Sequence, residues 1–477
     1  MSSEPHLFVI FGATGDLTSR KLVPALYKLL LSKDDGQSVI LGVGRSELTD
    51  EAFRATIREA LQESGCDKKH ATNWCAGSVH YQQVTDEDYS QLRRRIENVE
   101  NERGLTGNRV FYLALPPSAF EPVISALGEH ELATSRGWTR LVIEKPFGHD
   151  LASARALNAL VHRYFDEAQV FRIDHYLGKE TVQNLLVFRF ANTVFESLWN
   201  RDRIEEVEIT VAEQLDVANR AGYYDGAGAL RDMIQNHITQ LLTLVAMEAP
   251  AKWNAEAVRN EKVKVLQAIA PVELDHVVYG QYEAAGEVDS YSNHDGVAAE
   301  STTPTYVAMR IHVDNWRWQG VPFHLRTGKA LPERTTQVTV TFRRPPVSFF
   351  SDLATEAFDR DVLVLTLQPD EGFDLCIDVK HPGDTMDIDK IPLSFDYADR
   401  FGVVADAYET LLADIIEGDQ TLFVRADEVE SSWEVFQPVL DSEFSPEPYA
   451  AGTWGPAAAD EIAVTGWKTG ASNCSED

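Results

Sequence analysis

An imidazole, a phenol and an ammonium fall within five residues at His175, Tyr176 and Lys179, inside the run from Arg172 to Glu180. In a helical first turn His175 and Lys179 stand four apart and share one face, an arrangement suited to gripping a phosphate. As plain surface groups the same residues would simply cap a helix. A second concentration of chemistry is Gly12-Ala13-Thr14-Gly15-Asp16-Leu17. Glycines there permit a tight turn and let backbone amides approach a pyrophosphate at a helix N-terminus. The pattern departs from G-x-G-x-x-G in having Ala13 and Thr14 between its glycines, so alone it also reads as an ordinary strand-to-helix turn. Its context favours a dinucleotide. Where a carboxylate would hold the ribose hydroxyl of NAD, the sequence reads Gly42-Val43-Gly44-Arg45-Ser46. Arg45 can fork onto a 2'-phosphate with no carboxylate to repel it, which predicts NADP over NAD. A solvated loop arginine is the bland alternative.

These groups need elements to hold them. His6 to Phe11 is continuously apolar and ends at Gly12, the pattern of a buried parallel strand. A helix is expected from about Ser19 to Leu31, a strand over Val39 to Val43, and a helix over Asp50 to Glu63 opened by Thr49 or Asp50. Further strands are expected over Arg109 to Leu115, Arg140 to Ile143 and Val170 to Ile173, with a helix over Leu151 to Phe165. Strands separated by helices predict an α/β fold, a doubly wound parallel sheet of the Rossmann kind, forming a dinucleotide-binding domain over residues 1–175. Over residues 176–477 the rhythm changes. The alternating segments Val207 to Ala212, Tyr306 to Val313, Gln337 to Phe342 and Val362 to Leu367 predict a larger α+β domain on a mostly antiparallel sheet, serving substrate and dimerisation. A helix from Ala229 to Met247 carries an apolar stripe of Ile234, Ile238, Leu241, Leu242 and Val245, and the polar stretch Glu283 to Pro304 reads as a surface loop.

With 477 residues, 44% of them hydrophobic, the chain can bury a large core and is expected to form two domains. Lys and Arg number 43 against 75 Asp and Glu, a net charge of −32, which excludes nucleic acid and anionic membranes as partners. Only fourteen of the basic residues are lysines, which points to a halophilic source with a highly salted cytoplasm. Cys66, Cys75, Cys376 and Cys474 show neither a zinc-binding spacing nor a disulfide framework, so a reducing cytoplasm and no metal are expected. Met1 to His6 has no basic patch followed by an apolar stretch, and no run of eighteen apolar residues occurs, so export by the general secretory route and membrane insertion are not expected.

The segment Arg172 to Glu180 resembles the active-site signature of the glucose-6-phosphate dehydrogenase family. The likeness spans nearly the whole chain, through Glu144-Lys145-Pro146-Phe147-Gly148, Met233-Ile-Gln-Asn-His237, Gly328-Lys329-Ala-Leu and Asp406-Ala-Tyr-Glu to Gly418-Asp-Gln-Thr-Leu-Phe and Gly452-Thr-Trp-Gly-Pro. This resemblance implies oxidation of glucose 6-phosphate at C1 by NADP to the 6-phospho-lactone, the first step of the oxidative pentose phosphate pathway. By position it makes His237 the general base and Asp174 the carboxylate that orients it, a pairing chemically suited to an imidazole. On its own, His237 would read as a structural histidine. The resemblance assigns His175, Tyr176 and Lys179 to the substrate phosphate, and Lys145, Glu213, Asp232, Lys329, Arg334 and Gln368 to other substrate contacts. The cofactor set is Gly12, Ala13, Thr14, Gly15, Asp16, Leu17, Arg45, Tyr112 and Lys145, with Lys145 expected to touch both ligands and the Lys145-Pro146 bond open to the cis form.

Asp232 and His237 pose a difficulty, because five residues lie about 140° apart round an ideal α-helix. Two departures also stand out. Ser19 replaces the lysine many members carry after the glycine turn, leaving Arg20 and Lys21 to serve. Thr335, Thr339 and Thr366 stand where animal members hold a second, structural nucleotide with basic residues, so none is expected here. The resemblance further implies a homodimer or a dimer of dimers. The nearest alternative is a sugar dehydrogenase of the glucose-fructose oxidoreductase type, which shares Glu-Lys-Pro but lacks the Asp-His-Tyr-Leu-Gly-Lys signature.

Overall fold

The structure is a computed structural model that describes residues 4–32, 38–85, 89–347, 360–383, 387–402 and 406–468. The chain divides into two compact units, the first made of Met1–Lys179, Lys252–Arg259 and Ala405–Glu430, the second of Glu180–Ala251, Asn260–Val404 and Ser431–Asp477.

The first unit is built on β1 (Leu7–Phe11), β2 (Val39–Gly44), β3 (Val79–Gln83), β4 (Arg109–Leu113), β5 (Thr139–Ile143) and β6 (Val170–Arg172). All are parallel, in the order β3-β2-β1-β4-β5-β6 of a doubly wound dinucleotide fold. Every residue of β1 and β4 is buried, which is why these strands read as continuous apolar runs. The helix Asp50–Glu63 starts where expected, with the Thr49 hydroxyl accepting from the Ala52 amide at 3.2 Å. The expected helix from Ser19 is instead a π-helical turn, Thr18–Leu22, running into an α-helix, Val23–Ser32. Unanticipated here are β3 and the helices Lys68–Ser78, Tyr89–Arg103, Phe120–Glu129 and Ala407–Glu417. The second of these helices is polar overall, yet Tyr89, Leu92, Ile96 and Val99 are buried at helical spacing.

The second unit carries a nine-stranded sheet of β7 (Ile204–Ala212), β8 (Val277–Glu283), β9 (Tyr306–His312), β10 (Pro322–Gly328), β11 (Thr335–Phe342), β12 (Val362–Gln368), β13 (Gly372–Lys380), β14 (Ile388–Asp396) and β15 (Glu447–Ala450). Their order is β14-β13-β12-β11-β7-β10-β9-β8-β15, antiparallel except where β7 meets β10 and β8 meets β15. A helical segment, Leu230–Ile238 followed by Thr239–Ala246, packs its first part on β7 and β10.

Alternation along β7 places Glu206 and Glu208 together on the face opposite Val207 and Ile209. Lys468 answers both, its ammonium 3.5 Å from each carboxylate and its amide donating to Glu208 at 2.9 Å. Thr465 donates to Glu206, and His324 lies 3.3 Å from it. Burial pushes Glu208 up to about 7. Burial opposes the charge on Glu206 too, but the hydrogen bonds from His324 and Thr465 and the charge of Lys468 outweigh it and hold Glu206 at about 2. Between pH 4.5 and 7 the folded chain thus keeps a proton on Glu208 that the unfolded chain releases. This contribution to stability is complete below 4.5 and lost as pH rises through 7. Thermal unfolding at pH 5 and pH 8 should show a loss worth about 3 kcal/mol in the parent, absent in Glu208→Gln. An unchanged pH dependence in the variant would refute the assignment.

Cys66 and Cys75 are free thiols, Cys376 is disulfide-bonded, contrary to the expectation from spacing, and Cys474 lies outside the described residues. Among the described residues no helix is long and apolar enough to cross a membrane.

Candidate active site

The glycine turn leaves β1 at Gly12, whose φ is +78° and where a Cβ would sit 2.1 Å from the Ala114 carbonyl oxygen, so only glycine fits. The amides of Gly12 and Ala13 donate to the Val43 carbonyl at 3.0 and 3.1 Å, and the Gly12 carbonyl accepts from the Gly15 amide at 2.9 Å and the Thr18 hydroxyl at 3.1 Å. Thr14, Gly15 and Asp16 stay exposed, with Leu17 half-buried where the helical turn begins. A glycine turn of this kind, at the carboxyl edge of a parallel sheet and followed by a helix, fits a dinucleotide pyrophosphate. Arg45 is exposed at the end of β2, and its carbonyl is anchored by the Gln83 side chain at 3.0 Å. The two cations left to replace a lysine at Ser19 are engaged with acids: Lys21 pairs with Asp406 at 2.6 Å, and Arg20 stands 3.8 Å from Asp16.

The next strand ends bring carboxyls and phenols together. Tyr112, fully buried on β4, donates to Glu144 at 2.5 Å, and Tyr408, from the helix Ala407–Glu417, donates to the same oxygen at 3.3 Å. Loss of water around the Glu144 carboxyl pushes its pKa up, against those two donors and the neighbouring charge of Lys145. Lys145 is half-buried, and its bond to Pro146 is cis.

Beyond β6, Asp174 is buried at 2% exposure and its Oδ1 accepts from the Tyr176 amide at 3.0 Å. His175 to Lys179 form successive turns, and the helix starts only at Glu180, so the shared helical face expected for His175 and Lys179 does not exist. The Tyr176 ring organises the cluster instead: His175 packs on it at 5.0 Å between ring centroids, and the Lys179 ammonium lies 4.1 Å from its centre. Gly178 lets these turns pass close to another element, since a Cβ would sit 2.6 Å from the Ala407 carbonyl.

In the second unit the strand register gathers four of the expected substrate residues at one sheet edge. Ala212 of β7 pairs in register with Gly328 of the parallel β10 and with Thr335 of β11, while Thr336 pairs with Gln368 at the end of β12. Glu213, Lys329, Arg334 and Gln368 therefore emerge at the same end of neighbouring strands. Lys329 forms an ion pair with Glu213, and Arg334 donates to Gln368 at 3.4 Å. Gln368 in turn donates to Thr336 at 2.8 Å.

His237 is 1% exposed in the segment Leu230–Ile238, which is π-helical. Its side chains confirm the wider winding: Asn236 donates to the Arg231 carbonyl at 2.8 Å and Thr239 to the Ile234 carbonyl at 2.6 Å, both five residues back. In an i to i+5 helix, residues five apart stack about one turn from each other. Asp232 and His237 thus share a face, which removes the 140° separation of an ideal α-helix. Glu144 and Tyr408 were missed as site residues, although both lie within motifs the sequence displays.

Residues 9–184 match the family described as "Glucose-6-phosphate dehydrogenase, NAD binding domain", and residues 186–468 match "Glucose-6-phosphate dehydrogenase, C-terminal domain". The chain is 45% identical over 480 residues to the glucose-6-phosphate 1-dehydrogenase of Aggregatibacter actinomycetemcomitans, covering 97% of this chain and 96% of the relative. It is 43% identical over 484 residues to that of Treponema pallidum, covering 96% and 93%. A solved glucose-6-phosphate dehydrogenase in complex with its substrate glucose-6-phosphate is similar at a TM-score of 0.91 and 36% identity, covering 98% of this chain and 99% of that one.

Proposed function

The chain belongs to the glucose-6-phosphate dehydrogenase family and oxidises glucose 6-phosphate with a pyridine nucleotide, and from that premise we propose that the nucleotide is NADP and that His237 is the base. The product is the 6-phospho-1,5-lactone. The observation that carries the function is similarity at 45% identity along 97% of the chain, combined with a glycine turn that only glycine can make. The same near-full-length match sets aside a dehydrogenase of unphosphorylated sugars.

In this reading NADP, bound on Gly12 to Leu17 with its 2'-phosphate on Arg45, supplies the acceptor for the C1 hydride. His237 removes the C1 hydroxyl proton, and Asp174 orients the imidazole and stabilises its cationic form. His175, Tyr176 and Lys179 hold the substrate phosphate. Lys145, Glu213, Asp232, Lys329, Arg334 and Gln368 position the sugar. Tyr112 and Lys145 complete the cofactor side. Arg45→Ala should raise KM for NADP about tenfold or more, the loss of one charge-assisted phosphate contact, and leave KM for NAD nearly unchanged. Equal effects on both nucleotides in initial-rate assays would contradict the assignment.

A net charge of −32 repels an anionic substrate and cofactor at long range, so the cations of the site act as a local positive island. Salt near 1 M shortens the Debye length to about 3 Å and screens that repulsion. KM for glucose 6-phosphate should therefore fall severalfold as salt rises from low concentration, and a steady rise would argue against the halophilic reading.

The oligomer proposed is a homodimer or a dimer of dimers. It is supported by Ile391 and Leu393, which are 40% and 51% exposed on the edge strand β14. The setting proposed is cytoplasmic. The free thiols Cys66 and Cys75 support it, whereas the disulfide at Cys376 does not.

A further inference from the structure

Glu144 lies at the carboxyl end of β5, directly before Lys145, where no substrate or cofactor role has been given to it. The titratable and charged groups around it come from several elements. Tyr112 approaches from β4, Lys145 follows on β5, Asp174 comes from the turns after β6, and Tyr408 from the helix Ala407–Glu417 with Asp406 beside it. One oxygen of Glu144 receives both phenolic hydroxyls, at 2.5 and 3.3 Å. The helix that supplies Tyr408 is itself tied to the helical segment after the glycine turn, by Lys21 to Asp406 at 2.6 Å and Lys28 to Glu409 at 2.5 Å. A continuous set of polar contacts thus runs from the helix of the dinucleotide turn, through Asp406 to Tyr408, to the carboxyl that directly precedes Lys145.

We propose that Glu144 is a positioning residue for the known reaction: clamped by Tyr112 and Tyr408, it fixes the end of β5 from which Lys145 follows. The inference rests on the assignment of Lys145 to the active site made above. The clamp itself acts on geometry, and a misplacement of about 1 Å at such a site costs on the order of a hundredfold in rate.

Glu144→Gln keeps the shape and an acceptor oxygen but removes the charge. The expected result is a fall in kcat of about tenfold to a hundredfold, with KM for glucose 6-phosphate within a few-fold of the parent. Tyr408→Phe loses one donor and should lower kcat by less, with KM again little changed. If Glu144→Gln does not fold, Tyr408→Phe decides the matter. Folded variants with parental kcat, whatever their melting temperature, would overturn the positioning role and leave a structural clamp. The parent enzyme assayed alongside keeps the two ideas apart: a parent that turns over glucose 6-phosphate while the variants match it defeats only the role of Glu144. A parent without that turnover defeats the functional reading and this inference together.

Discussion

Replacing His237 with asparagine lowers kcat for glucose 6-phosphate by about 10²- to 10⁴-fold, the range a positioned general base supplies. Asparagine is smaller than the ring but keeps a polar, hydrogen-bonding side chain in a position only 1% exposed, so the helix should survive the change. What disappears is a group able to take a proton near neutral pH. KM for glucose 6-phosphate should stay within a few-fold of the parent, because the proposal gives the phosphate to His175, Tyr176 and Lys179 and not to His237. Circular dichroism establishes that the variant is folded, and NADPH absorbance gives its rate. A folded variant with kcat within threefold of the parent would remove His237 from the chemistry.

Gly12→Ala should produce the second large effect. The new methyl group would sit 2.1 Å from the Ala114 carbonyl oxygen, a distance no carbon and oxygen can keep, on a backbone whose φ of +78° already disfavours a side chain. The left-handed conformation alone costs on the order of 1–3 kcal/mol. The backbone must shift, and with it the contacts that the Gly12 amide and carbonyl make to Val43, Gly15 and Thr18. KM for the nucleotide should rise more than tenfold and the melting temperature should fall by several degrees. The measurements are nucleotide titration by tryptophan fluorescence and thermal unfolding. Parental affinity in Gly12→Ala would mean that the turn does not carry the pyrophosphate.

The first unit was the more legible part of the fold. Its strands are buried on both faces, so β1, β2 and β4 announce themselves as apolar runs bounded by Gly12, Arg45 and Pro116. The second sheet hid its outer strands. β14 contains Pro392 and is exposed along much of its length, a composition tolerated only at a sheet edge, which is where it lies. β13, half-exposed throughout except at Cys376, gives an equally weak apolar signal.

The site was legible as motifs and less so as geometry. His175 to Lys179 were identified by type, but the Asp174 carboxylate on the Tyr176 amide and the close passage at Gly178 make turns where a helix was expected. The π-helix around His237 is invisible to apolar period, because Ile234, Ile238, Leu241, Leu242 and Val245 satisfy an α-helical stripe equally well. Only the hydrogen bonds that reach back five residues reveal it. Glu144 and Tyr408 lie within motifs the sequence displays, but their pairing is not legible there, since the contact joins residues 264 apart.

The reaction itself is tested most directly by glucose 6-phosphate carrying deuterium at C1, incubated with NADP and the enzyme. The deuterium should appear at C4 of the reduced nicotinamide ring, one atom for each lactone formed, as read by mass spectrometry. Reduced nucleotide without the label, or a label released to water, would contradict direct transfer from C1 and with it the roles given to His237 and the glycine turn.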